Sequence, residues 1–99
     1  MERDEFIGVL TNEGFEEILT LERQPNIFLD MHTHPFEAKA LILAGEIRLR
    51  VGDIEQVCQA GHVFQLPANM PHSETYGPEG ARYVVGRKAA ATITSSKSS

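Results

Sequence analysis

The hydrophobic positions change period early in the chain. From Arg3 to Glu13, Phe6, Val9 and Leu10 fall on one face of a helix, and Gly14 follows where a helix end favours a residue of left-handed backbone. One short N-terminal helix is expected there. From Phe15 to Arg23 the apolar residues Ile18, Leu19 and Leu21 fit either period. Thr20, the short length and the Pro25-Asn26 turn favour a strand.

After Pro25 the pattern is β throughout. Ile27, Leu29 and Met31 alternate with Phe28, Asp30 and His32, and Ala38 to Ala44 forms a mostly apolar run. Ile47, Leu49 and Val51 alternate with Glu46, Arg48 and Arg50, which gives one face to a core and one to water. Gly45-Glu46 and Gly52-Asp53 supply turn chemistry. Phe64 and Leu66 alternate ahead of Pro67, and Arg82 to Arg87 reads as a strand after a Gly77-Pro78-Glu79-Gly80 turn. Short strands at regular spacing predict an all-β antiparallel sandwich or barrel. Residues 1–91 are expected to form a single domain, and 92–99, with no apolar anchor after Ile93, a disordered tail.

Composition narrows the function. Ninety-nine residues with 41% hydrophobic and 23% charged side chains make an ordinary globular mixture with a thin core. Fourteen acidic against nine basic residues give a net charge of -5, which disfavours nucleic acid and anionic membrane as partners. No apolar run reaches the roughly 20 residues of a membrane span, and the start Met-Glu-Arg-Asp-Glu lacks the regions of a signal peptide, so a cytoplasmic location is expected. Cys58 is the single cysteine, which excludes an internal disulfide and a thiolate cage; any metal must be held by nitrogen and oxygen.

The four histidines then carry the candidate chemistry. His32 and His34 are two apart, so on a strand they share a face with their bases roughly 6 to 7 Å from one another. Two imidazoles so placed can lean onto one metal ion at about 2.0 to 2.1 Å. Alone the pair is weak evidence, because His-x-His arises by chance in roughly one shuffled sequence of this composition in eight.

The surroundings strengthen it. His32-x-His34 is followed by a strand closed by Gly45; fifteen residues then lead to Gly61, with Pro67 six positions on and His72 five beyond that. Over about Asn26 to Tyr76 this register resembles the two-motif signature of the cupin family, with motifs at 26–45 and 61–76. The resemblance implies a cupin-like jelly-roll β-barrel and a metal site of His32, His34 and His72. Three positions depart from the pattern: Ile27 and Asn69 stand for glycines and Tyr76 for an asparagine, Asn69 being mild because Asn tolerates left-handed backbone. The family's glutamate ligand would fall at Ala38 or Lys39, whereas the nearest acid, Glu37, is one residue early and of the wrong strand parity. If Pro35 breaks the strand as a bulge does, Glu37 swings in as a fourth ligand; otherwise it is a solvent-facing loop acid and three histidines hold the metal.

Glu74 and Tyr76 share the parity of His72. Glu74 is a candidate general base beside a metal-bound water, or a solvated acid at a barrel rim; Tyr76 is a candidate hydroxyl toward a ligand, or a packing residue. His62 is expected at a surface turn, and Cys58 as a small buried hydrophobe. Ala40, Ile42, Phe64, Leu66 and Met70 would wall an apolar pocket for a small organic ligand. The cofactor is expected to be a divalent transition metal, with zinc, iron, nickel, manganese and copper all admissible. The resemblance implies oxygenase (dioxygenase), isomerase or cyclase chemistry on a small molecule. The competing reading is a non-catalytic binding or sensor module, with or without metal. A thin core with open strand edges makes a homodimer the expected assembly.

Overall fold

The computed structural model describes residues 1–89; the expected tail at 92–99 and the domain end at 91 lie outside them. One helix, α1 (Arg3–Asn12), precedes six strands: β1 (Glu17–Arg23), β2 (Phe28–His32), β3 (Phe36–Val51), β4 (Ile54–Gln59), β5 (Val63–Leu66) and β6 (His72–Ala89). The helix ends as its sequence suggests. Gly14 has φ +85°, its N–H donates to the Thr11 carbonyl, and the Phe15 N–H donates to the Leu10 carbonyl, the paired bonds of a Schellman cap.

All strand pairing is antiparallel and is built on two long strands. The first half of β3 pairs the second half of β6, flanked by β5 and β1. The second half of β3 pairs the first half of β6, flanked by β4 and β2. The result is two four-stranded layers that share β3 and β6, and one apolar cluster drawn from both layers fills the space between them.

Both long strands turn the corner between layers without breaking. Sequence reading expects turns at Gly45-Glu46 and at Gly77 to Gly80; β3 instead runs on through the first, with register shifts at Ile42/Ala44 and Gly45/Ile47, while Gly77 to Gly80 loop out opposite Glu46 without a partner in β3. A one-residue shift exchanges the two faces of a strand. Accordingly Ala38, Ala40 and Ile42 point into the core before the corner of β3, and Ile47 and Leu49 after it. In β6 the inward residues pass from His72 and Tyr76 to Ala81, Tyr83 and Val85. The Gly52-Asp53 turn between β3 and β4 is as expected.

The outer face of the β1–β6–β3 layer is covered by α1. Phe6, Leu10, Phe15, Leu41 and Val84 form a second buried cluster there. Full burial of Phe6 and Leu10 contributes about 1.5 to 3 kcal/mol each. Gly86 lets the helix approach, since a Cβ there would press on the Leu10 side chain and Phe15.

Candidate metal centre

The site lies where β2, the loop after it and the start of β6 meet. In β2 the register shifts between Leu29 and His32, so that Leu29 packs on the core while His32, of opposite parity, also faces inward and pairs with His72. Ile27, Phe28 and Met31 remain exposed. His34 stands just beyond β2, and its carbonyl accepts a 2.7 Å bond from the N–H of Asn69. Asn69 takes φ +64°, the left-handed backbone that the family pattern assigns to a glycine. The His34 ring stacks on Phe36 at 4.8 Å and an interplanar angle of 14°.

His32, His34, His72 and Glu74 each offer one ligand atom, and these atoms lie within 4.8 Å of one another. Two atoms bonded to one ion at about 2.2 Å are at most about 4.4 Å apart, so the group is close to the size an ion requires. Protons decide which atoms face it. His72 Nδ1 lies 2.9 Å from the Met70 carbonyl and His32 Nδ1 2.6 Å from the Asp30 carbonyl. A carbonyl only accepts, so each Nδ1 carries the proton and donates. In the neutral rings both Nε2 atoms then hold lone pairs, and both are turned on Glu74 Oε2, His72 at 3.2 Å and His32 at 3.7 Å. A metal ion or protons between these three acceptors would relieve their mutual repulsion. Burial, reinforced by His32 and His72, holds the His34 imidazole below its ordinary value, which favours the neutral form a metal needs.

Tyr76 sits directly behind Glu74. Its hydroxyl is buried and donates to Glu74 Oε1 at 2.8 Å. Burial first, then the Glu74 charge, pushes the phenol far above its ordinary range, so it stays a donor at any working pH. The hydroxyl is thus committed to the carboxylate, where the sequence reading aimed it at a ligand.

Glu37 is not brought to the group. Pro35 does interrupt the strand, at a bend between β2 and β3, but Glu37 already lies in regular register opposite Lys88, and its carboxylate accepts a 2.6 Å bond from Gln65 Nε2. Strand parity turns it to the other face from Phe36 and Ala38. The carboxylate beside the histidines is Glu74, two residues after His72, which sequence reading singled out as a base. His62 is exposed, as expected, and its Nδ1 accepts from the Gln59 N–H. Cys58 is fully buried, and burial pushes its thiol up.

A cavity of about 80 Å³ adjoins the four residues. Phe64 and Leu66 wall it as expected, but Phe36 and Ala38 stand where Ala40 and Ile42 were anticipated; these two lie deeper in the core. Arg23, Tyr83 and Arg87 also line it, and sequence reading missed all three. The available signal was the inward parity of Tyr83 with Val85, which Arg87 shares, but an arginine on an alternating strand reads by default as a solvated position.

Residues 15–85 match the family described as the AraC-like ligand binding domain, and the chain belongs to that family. It is a cupin-type domain. No curated protein matches the chain in sequence. Among solved structures it is similar to an RmlC-like cupin from Shewanella frigidimarina, with TM-score 0.64 and 18% identity over 78% of this chain and 68% of that one. The cupin domain of Schizosaccharomyces pombe Cnp3 gives TM-score 0.68 at 18% identity, covering 81% of this chain and 59% of that one. Oxalate decarboxylase of Bacillus subtilis, a protein with Mn(II) centres, gives TM-score 0.65 at 19% identity over 79% of this chain. This chain spans only 22% of the decarboxylase, and identities this low establish a shared fold alone.

Proposed function

We propose that the domain binds a divalent transition-metal ion through His32, His34, His72 and Glu74 and presents it to a small organic ligand in the adjoining pocket. The convergence of the His32 and His72 Nε2 lone pairs on Glu74 Oε2 carries this reading. Nitrogen and oxygen donors suit zinc, iron(II), nickel, copper and manganese alike, and the fold shared with a manganese protein supports a metal of this class. When bound, the ion supplies a Lewis acid, or a redox centre if it is iron, copper or manganese. The chain's own residues do the rest. Met70 and Asp30 fix the ring tautomers, Tyr76 aims Glu74, and Phe64, Leu66 and Phe36 exclude water from one side.

Membership in a family of ligand binding domains supports capture of the ligand without conversion, as in a sensor module. Oxygenase, isomerase or cyclase chemistry is the second reading, supported by the site's partial opening to solvent: the His32 side chain keeps 27% of its exposure. Pairing of two copies belongs to the same proposal, supported by exposed Ile54, Val57 and Val63 on strands beside an open sheet edge.

The test is elemental analysis after dialysis against zinc or manganese, on the wild type and on His72→Ala. The wild type is expected to retain about one ion per chain and the variant far less, with the circular dichroism spectrum preserved. Equal occupancy in the two proteins would sink the proposed site.

A further inference from the structure

The charge inside the pocket runs against that of the whole chain. The protein carries -5, yet the charged residues lining the cavity are two arginines, Arg23 and Arg87, against the single acid Glu74. A site with excess positive charge and apolar walls in an acidic protein attracts anions only at close range, so selection falls to the pocket itself.

The two guanidinia are held rather than free. Arg23 Nε donates to the Tyr83 hydroxyl at 3.1 Å, which orients the fork and leaves both Nη groups without a side-chain partner among the described residues. Arg87 lies over the Phe36 ring at 4.9 Å, and the other stacking partner of that ring is His34. Its nearest acid is Glu17 at 3.7 Å, beyond hydrogen-bond length, on a side chain 58% exposed. Such a pair in water contributes little and leaves the guanidinium open to another partner. Planar, oriented guanidinium groups match the two oxygens of a carboxylate.

We infer that the pocket selects a small carboxylate, gripped by the Nη groups of Arg23 and further attracted by Arg87. The inference deepens the metal reading above and rests on the same pocket. Size supports it. A cavity of about 80 Å³ suits a small guest. Leu21, Leu29 and Phe64 give a short carbon chain its apolar contact.

The experiment is an NMR titration of the ¹⁵N-labelled protein, zinc-loaded and metal-free, following the arginine Nε signals. The probes are straight-chain mono- and dicarboxylates of two to four carbons, their amides, and inorganic phosphate. Carboxylates are expected to shift the Arg23 and Arg87 signals and to bind at least about tenfold more tightly than the amides. Arg23→Gln should lose about tenfold in carboxylate affinity without losing zinc, and Arg23→Lys, which keeps charge but not the fork, should recover part of it. Equal affinity for carboxylates and amides, an unchanged Arg23→Gln, or preference for phosphate over every carboxylate would overturn the inference. Failure of the wild type to take up zinc would instead sink the metal reading, and the arginine contacts would then be judged on the metal-free titration.

Discussion

Three protons organise the site: those on His32 Nδ1, His72 Nδ1 and the Tyr76 hydroxyl, each donated to a fixed oxygen. Such outer contacts aim ligating atoms and commonly change metal affinity by about 10- to 100-fold when removed. Tyr76→Phe keeps the ring in the core and deletes only the bond to Glu74. It should weaken metal binding by about tenfold or more in a chelator competition, at a stability cost of about 1 kcal/mol. Unchanged affinity would make Tyr76 a packing residue alone. The three histidines were legible in the sequence because spacing and register carry them. Glu74 was legible as an acid on the face of His72, but not as a neighbour of His32, because that depends on which strand pairs with which. Glu37 is near His34 in sequence but on the wrong face, whereas Glu74 lies beside His72 by local spacing and meets His32 through the pairing of β6 with β2, a contact that no local pattern records. Arg23 and Arg87 were hidden for the same reason.

At the scale of elements, the strands with clean alternation were readable, and so was α1 with its Gly14 cap. The bends in β3 and β6 were not. Gly45 and Gly80 look like turn residues, yet they let two paired strands pass the corner with φ of +78° and +73°. The corner matters to the site because it reverses parity, which places Tyr76 and Tyr83 on the same core side of β6. A Cβ at Gly45 would collide with the Gly80 carbonyl, whereas one at Gly52 would meet open space, although both positions have positive φ. Gly45→Ala should therefore cost about 3 kcal/mol or more in urea unfolding and Gly52→Ala about 1 kcal/mol. Equal losses would mean that the close approach at the corner relaxes readily.

Over the whole molecule, a thin-cored chain builds two layers from two long strands and gathers three histidines and Glu74 at one end of the space between them. The described helix is not long and apolar enough to cross a membrane. Composition set the terms for the site, since a single cysteine left nitrogen and oxygen as the only donors, and the fold answered with three imidazoles and one carboxylate. These four side chains are proposed to hold one ion. Anomalous scattering from crystals of the manganese- or zinc-loaded protein measures that most directly. A single peak should appear within about 2.0 to 2.3 Å of His32, His34 and His72 nitrogens and a Glu74 oxygen. A peak bound by other residues, a peak that Glu74 does not touch, or no peak at full metal concentration would show that these four side chains do not form the site.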